Sequence, residues 1–114
     1  AAEASVCAQA KGKFWEYHDT LFKNQDALDI ESLKQYASQL GLNTGSFNSC
    51  LDGGDSESEV NKELAQATAA GAGGTPFFLI VNTETGKTVS ISGAYPFASG
   101  TAQITLEDAI LSVQ

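Results

Sequence analysis

The amino-acid sequence predicts an α+β fold in which several helices come first and a β-hairpin and one more helix follow. Two observations predict this order. The hydrophobic periodicity is helical through about residue 70. After Gly71 the period changes, because residues 72–76 are too rich in Gly and Pro for a helix and two strand-like runs follow at 77–81 and 87–92. The 114 residues, 42% of them hydrophobic, suffice for a folded core.

The first three predicted helices are separated by glycines and capping residues. A helix from the first residue to about Lys11 ends at Gly12, and its expected inward stripe consists of Ala2, Val6 and Ala10. A second helix carries, at helical spacing, Phe14, Trp15, His18, Leu21 and Phe22. Asp29 is the expected N-cap of a third helix, which Gly41 ends in a left-handed conformation. The apolar face of this third helix consists of Leu33, Tyr36, Ala37 and Leu40.

Two further elements complete the helical part. Asn43 is expected to cap a short turn that carries Phe47, Cys50 and Leu51. Ser56 followed by Glu59 has the pattern of a capping box and predicts the start of a helix that runs to about residue 70. The expected inward residues of that helix are Val60, Leu64 and Ala67.

The strand at 77–81 consists of five consecutive apolar residues, which predicts that both of its faces are covered inside a sheet. The run 87–92, with Val89 and Ile91 on one face, is expected to pair with it as an antiparallel hairpin. This pairing covers one edge only, so the sequence predicts a sheet that needs a further strand from outside this chain. Thr105 then caps the last helix with Asp108 at N3. The apolar positions of that helix are Leu106, Ala109, Ile110 and Val113.

Charge and composition exclude several functions. Fourteen acidic residues and six lysines give a net charge of −8, and there is no arginine. Nucleic acids and anionic membrane surfaces are therefore not expected partners, because both need a basic patch. The longest apolar run is far shorter than the roughly 20 residues of a membrane span. The sequence has no Met and begins in helix-favouring residues, so we expect either the mature part of an exported protein or a piece of a longer one.

Residues 71–78, Gly-Ala-Gly-Gly-Thr-Pro-Phe-Phe, are the most specific feature of the chain. They do not fit a phosphate-binding loop, because such a loop follows a strand and opens a helix with a Lys, and the sequence indicates no cofactor. A Thr-Pro dipeptide at the mouth of a strand is a natural place for a cis peptide bond. From the local sequence alone, an ordinary trans loop remains the simpler interpretation.

Several blocks of sequence together resemble the DsbA-like thioredoxin-fold proteins. Residues 74–82, Gly-Thr-Pro-Phe-Phe-Leu-Ile-Val-Asn, resemble the cis-proline segment of that family. Residues 7–22, which include Phe-Trp-Glu-Tyr-His-Asp, resemble the start of its inserted helical domain, and residues 36–42, 47–51 and 93–96 continue the match in order. The resemblance implies an incomplete thioredoxin-like fold with a cis bond at Pro76. Residues 1–70 would form the helical insert domain, and residues 71–114 the C-terminal part of the thioredoxin-like domain.

The departure from that family concerns its catalytic motif. Members carry a Cys-x-x-Cys upstream of these blocks, whereas this sequence contains none. We therefore expect the C-terminal two-thirds of a DsbA-like protein, which is inactive alone. The resemblance implies an extracytoplasmic bacterial protein, in the periplasm or at the cell surface, that catalyses thiol–disulfide exchange on protein or peptide substrates. Thr75 and Pro76 would contact the substrate.

Other partners and a second function follow from the same resemblance. A membrane-bound redox partner is one partner that it allows. A homodimer or an upstream fragment is expected to cover the open edge of the strand at 77–81. The alternative function is a redox-inert thioredoxin-like module that binds peptides or protein partners.

The two cysteines, Cys7 and Cys50, leave several interpretations open. A metal site is not expected, because it needs three or four ligands and His18 is the only histidine. A redox pair would be close in sequence and at a helix start, which neither cysteine is. A structural disulfide between helices is favoured, and two separate buried thiols are the remaining alternative.

The aromatic-rich second helix is expected to be structural. His18, beside Glu16 and Asp19, is expected to be a packed or solvated residue rather than a catalytic one. Four aromatic residues are expected in the core of the helical part, although some of them could line a peptide-binding surface: Phe14, Trp15, Phe22 and Tyr36.

Overall fold

The computed structural model describes residues 1–95, 97 and 105–114, which form six helices and one two-stranded antiparallel sheet. In chain order the elements are α1 (Ala2–Gln9), α2 (Phe14–Lys23), α3 (Ile30–Gln39), α4 (Thr44–Gly53), α5 (Glu57–Ala69), β1 (Phe77–Val81), β2 (Thr88–Ser92) and α6 (Leu106–Ser112). The chain divides within α5 into two compact units, residues 1–63 and residues 64–114. The predicted α+β class is confirmed, whereas the predicted domain boundary between residues 70 and 71 stays a prediction.

In the first unit, α1 to α4 pack around an apolar core centred on Tyr17 and Phe47, which are both completely buried. Their ring centroids are 5.5 Å apart, and the Tyr17 hydroxyl donates a hydrogen bond of 2.8 Å to the backbone carbonyl of Leu33. Burial, with a smaller contribution from Tyr36, raises the pKa of Tyr17 to about 12. The other buried members of this core are Ala4, Cys7, Ala8, Leu33, Tyr36, Ala37 and Leu42.

The helix boundaries of α3 and α4 follow from the capping residues that the sequence indicates. The Asp29 carboxylate accepts a hydrogen bond from the backbone N–H of Ser32 over 3.1 Å. The Ser32 side chain and backbone hold the pKa of this carboxyl below its usual value. Asn43 caps α4 in the same way, because its Oδ1 accepts from the N–H of Ser46 over 2.9 Å. Gly41 ends α3 with a φ of 73°, a conformation that favours glycine.

The inward faces of α1 and α2 differ from the prediction. The buried residues of α1 are Ala4, Cys7 and Ala8, so the predicted stripe of Ala2, Val6 and Ala10 is wrong. The helix is turned so that its cysteine lies against α4, to which it is covalently bonded.

Along α2, the buried aromatic residue is Tyr17, whereas Trp15 is 68% and Phe22 is 64% exposed. The prediction of a core position is therefore wrong for Trp15 and Phe22, and it is confirmed for Tyr36. The apolar stripe of α2 is wider than the surface that α1 and α3 cover.

The helix α5 has no buried residue. The predicted inward side chains of Val60, Leu64 and Ala67 are therefore not buried, and Leu64 is 63% exposed. The predicted capping box of Ser56 and Glu59 is also wrong, because the Ser56 hydroxyl contacts the two cysteine sulfurs instead. The amphipathic pattern of α5 correctly predicts a helix but not a buried face.

In the second unit, β1 and β2 form the predicted antiparallel hairpin, with Phe78 opposite Ile91 and Ile80 opposite Val89. These four residues share one face of the sheet, since side chains alternate along a strand. The opposite face presents apolar side chains of β1, of which Leu79 is 49% exposed. Within the described residues β1 is only partly covered and its sheet has two strands, so the predicted cover from outside this chain stays a prediction.

Helix α6 packs against β2 in the same unit. Thr105 and Asp108 form the predicted capping box, in which the Thr105 Oγ accepts from the Asp108 N–H over 3.2 Å. The Asn82 side chain donates to the carbonyl of Val113 over 3.0 Å, which connects the hairpin turn to the end of α6. Of the helices that the structure describes, none combines the length and the hydrophobicity of a membrane-spanning segment.

Candidate functional site

The segment that leads into β1 presents an exposed dipeptide, Thr75-Pro76, whose peptide bond is cis. The Pro76 carbonyl accepts a hydrogen bond of 2.8 Å from the N–H of Gly93, just beyond β2. Within residues 1–95, neither the N–H nor the carbonyl of Thr75 has a hydrogen-bond partner. Thr75 therefore offers one donor and one acceptor in the bend just before β1, and an extended peptide can pair with backbone groups of this kind.

The glycines and the proline around this dipeptide explain why the chain leaves α5 here. Gly71 has a φ of 90°, which disfavours other residues, and the N–H of Ala72 bonds to the carbonyl of Ala67 at the end of the helix. Pro76 has no N–H to donate to a ladder, so it belongs at the first position before the strand. The backbone is thereby directed out of the helix and into β1 with Thr75 exposed.

A small apolar cavity of about 80 Å³ lies in the same unit and includes Gly93, the residue that bonds to Pro76. It is lined by Phe78, Ile91, Gly93, Tyr95, Phe97 and Leu106. This cavity was not predicted from the sequence. The sequence feature that could have indicated it is the block at residues 93–96, which resembles the family and to which the sequence gives no other role. An apolar side chain of a peptide that pairs with Thr75 is the kind of group that such a cavity accepts.

The two cysteines form a disulfide in the first unit, with a Cα–Cα distance of 6.0 Å. This bridge joins α1 to α4, and the side chain of Ser56 lies beside it. The Ser56 Oγ is 3.4 Å from the Cys7 Sγ and 3.6 Å from the Cys50 Sγ. This role of Ser56 could not be predicted from the sequence, because the capping-box pattern offers a local partner and the contact to Cys7 spans 49 positions.

The remaining sequence-predicted candidates do not converge on either site. The His18 Nδ1 donates a hydrogen bond of 3.1 Å to the Asp19 carboxylate on the exposed face of α2. Its ring lies between those of Trp15 and Phe22, with centroid distances of 5.3 and 4.6 Å. The described residues hold no cluster of three or more side chains that could bind a metal ion.

An α+β chain with an exposed Thr-Pro dipeptide before a hairpin has the features of a thioredoxin-fold protein. The family model "DSBA-like thioredoxin domain" matches residues 1–104, and the chain belongs to that family.

Three curated relatives match over 80 residues each. The chain is 41% identical to a protein named Na(+)/H(+) antiporter NhaA of Herminiimonas arsenicoxydans, over 70% of this chain and 13% of the relative. It is 34% identical to Na(+)/H(+) antiporter NhaA 3 of Salinispora tropica and 32% identical to Na(+)/H(+) antiporter NhaA 1 of Salinispora arenicola, over 70% of this chain and 12% of each relative. The match thus spans only about an eighth of the length of these relatives. No solved structure matches the chain.

Proposed function

We propose that this chain is part of an extracytoplasmic DsbA-like protein of a bacterium, in the periplasm or at the cell surface, that catalyses thiol–disulfide exchange on protein substrates. The observation that carries the proposal is Thr75 at the entrance to β1, which is exposed and whose backbone groups have no hydrogen-bond partner within residues 1–95, in a chain that belongs to the DSBA-like family. In this proposal Thr75 and Pro76 bind the substrate, and the chain alone is inactive.

The proposed binding mode is backbone pairing of the substrate with Thr75. The N–H of Thr75 donates to a carbonyl of the extended substrate, and its carbonyl accepts from a substrate N–H. Pro76 cannot compete with Thr75 for the substrate carbonyl, because proline has no N–H to donate. The chemistry itself is the attack of a thiolate on a disulfide through a mixed disulfide. It requires the reactive cysteine pair of the whole protein, since this sequence contains no Cys-x-x-Cys.

A membrane-bound partner is part of the same proposal. The matched segments of the three relatives are small parts of chains that are named Na(+)/H(+) antiporters. A segment similar to this chain therefore occurs in proteins that are named as antiporters, which supports a membrane-bound redox partner in this proposal. We also propose that the open edge of β1 is covered by an upstream segment of the whole protein or by a second copy, because an apolar strand edge invites pairing.

A redox-inert binding module is the second candidate function. The exposed strip of Trp15, His18 and Phe22 on α2 favours it, together with an apolar cavity of about 240 Å³ beside Phe22. A strip of aromatic side chains next to a cavity suits an apolar peptide. In this case the chain binds partners without any exchange reaction.

Backbone pairing can be tested with two substitutions at one position. The probe is the B chain of insulin with carboxamidomethylated cysteines, titrated into the isotope-labelled chain and followed by amide NMR shifts. Thr75→Ala keeps the backbone N–H and should bind as the wild type does, whereas Thr75→Pro removes the donor and should weaken binding at least about fivefold, which is the order of one hydrogen bond. Equal binding by both variants would refute pairing at Thr75. Shifts confined to α2 would favour the binding module.

The claim of inactivity has its own test. In an insulin-reduction assay, the chain should not accelerate precipitation of the insulin B chain above the rate with dithiothreitol alone. The control is the chain with both cysteines replaced by alanine. Acceleration by the wild type that this control lacks would contradict the proposal that the chain is inactive.

A further inference from the structure

The hydroxyl of Ser56 is a buried donor directed at the disulfide. Its residue is only 5% exposed, and the Ser56 Oγ lies within 3.6 Å of both sulfurs. A disulfide sulfur carries no hydrogen, so the hydroxyl is the donor in both contacts. Sulfur is a weak acceptor, and a buried hydroxyl normally finds a stronger one. In the described residues the Ser56 side chain has no other hydrogen-bond partner, so its hydroxyl hydrogen is available to the sulfurs.

The same hydroxyl stands at the start of α5, where a negative charge is stabilised. The carbonyl of Ser56 accepts the first hydrogen bond of that helix, from the N–H of Val60 over 3.1 Å. The N-terminus of a helix carries partial positive charge. Both cysteines, in contrast, lie in the last turns of α1 and α4, where the helix dipole disfavours a thiolate. Among the groups beside the bridge that the structure describes, Ser56 and the start of α5 are therefore the ones that favour negative charge on sulfur.

We propose that the Cys7–Cys50 bridge is a second redox site, which exchanges with small-molecule thiols, and that Ser56 is the positioning residue that stabilises the departing Cys7 thiolate. This inference goes beyond the proposed function and does not depend on it. It changes the role expected from the sequence, in which the two cysteines are scaffold only.

The difference in exposure between the two cysteines determines which of the two sulfurs a small thiol attacks. Cys7 is 1% exposed, whereas Cys50 is only partly buried. The thiolate of a small reductant therefore attacks the Cys50 Sγ and forms a mixed disulfide with it, while the bond to Cys7 breaks and the electron pair stays on the Cys7 Sγ. A second thiol molecule attacks the reductant's own sulfur in that mixed disulfide. It releases the Cys50 thiolate and the oxidised reductant as a disulfide, and the protein takes up two protons as both cysteines become thiols.

Access limits this site to small molecules. The sulfur of Cys7 is enclosed in the core of the first unit and the Cys50 side chain is partly buried, so we expect neither thiolate to reach a disulfide on the surface of another protein. The site therefore does not turn over insulin, and the inactivity proposed above holds for this chain even though its own bridge can be opened. The two proposals fail separately, since one concerns Thr75 and the other concerns Ser56.

The test measures how fast the bridge is reduced in the native chain. The wild type, Ser56→Ala, Ser56→Thr and the exposed control Ser38→Ala are mixed with excess 2-mercaptoethanol, quenched with acid and analysed by mass spectrometry. Ser56→Ala should slow reduction about tenfold or more, because hydrogen bonds to charged groups are the strong ones. Ser56→Thr keeps the hydroxyl and should restore the rate, and Ser38→Ala should leave it unchanged. Circular dichroism establishes that each variant is folded.

Two further readouts separate the proposed role from a merely structural one. Trypsin separates the two cysteines, because Lys11 follows Cys7, and the mixed-disulfide adduct should be found on Cys50. In the reduced chain, the pH at which the Cys7 thiol ionises, followed by the NMR shift of its Cβ, should be about one unit higher in Ser56→Ala than in the wild type. Equal reduction rates and equal pH profiles in wild type and Ser56→Ala would overturn the proposal. A bridge that is reduced only in urea would overturn it as well.

Discussion

Replacing Cys7 and Cys50 by alanine removes the covalent link between α1 and α4. The bridge closes a loop across a sequence separation of 43. In the chain-entropy model such a loop stabilises the fold by about 4 kcal/mol. Small apolar side chains remain at both positions, so most of the packing of the core is kept. The substitution also leaves the Ser56 hydroxyl without its two sulfur acceptors, and an unsatisfied buried hydroxyl costs about 1–3 kcal/mol.

These two contributions can be measured separately by urea unfolding followed by circular dichroism. The double variant should lose about 5–7 kcal/mol, which lowers the urea midpoint by about 2.5–7 M at a slope of about 1–2 kcal/mol per M. Adding Ser56→Ala to the double variant should recover about 1 kcal/mol, since the orphaned hydroxyl is then gone. The same Ser56→Ala change in the bridged chain provides the reference. A double variant that loses less than about 1 kcal/mol would refute the reasoning from loop closure.

Two more predictions concern the first unit. The phenol of Tyr17 is kept neutral by burial, with a pKa of about 12 against an ordinary value of 10.0. Between these two pH values the unfolded chain releases this proton and the folded chain keeps it, so stability should fall by up to about 1.4 kcal/mol per pH unit. Urea midpoints measured across this range should fall less steeply in Tyr17→Phe, and parallel curves would contradict the assignment. Asn43→Ala removes the N-cap of α4 and should cost about 1 kcal/mol in the same assay, whereas the exposed Asn61→Ala should change little.

Local features of this chain could be predicted from the sequence. Asp29, Gly41 and the capping box of Thr105 are confirmed, because capping depends on backbone groups within a few residues. The hairpin is confirmed for the same reason, since a short Gly-containing turn allows few other pairings of the two strands.

Features that depend on tertiary contacts could not be predicted in the same way. The pattern of α2 shows an apolar stripe but not how much of it the neighbouring helices cover, so Trp15 was expected inside and lies outside. Ser56 had a plausible local partner, and its contact with Cys7 comes from a distant part of the chain. The sequence around Thr75 likewise does not show whether its backbone N–H and carbonyl have partners. Thr75 is a candidate substrate-binding residue because of the family resemblance and the structure together.

The exposed face and open edge of β1 have a consequence for the behaviour of the chain in solution. All five residues of β1 are apolar, none is charged, and Val81 at its end is 48% exposed. Natural proteins protect such edges with lysines, prolines or bulges, and within the strand itself β1 has none of these. Its sequence has the composition of a segment that stacks into cross-β fibres. The net charge of −8 opposes this stacking by long-range repulsion, so the solubility of the chain should depend on salt concentration, and screening of that repulsion makes β1 the first point of aggregation.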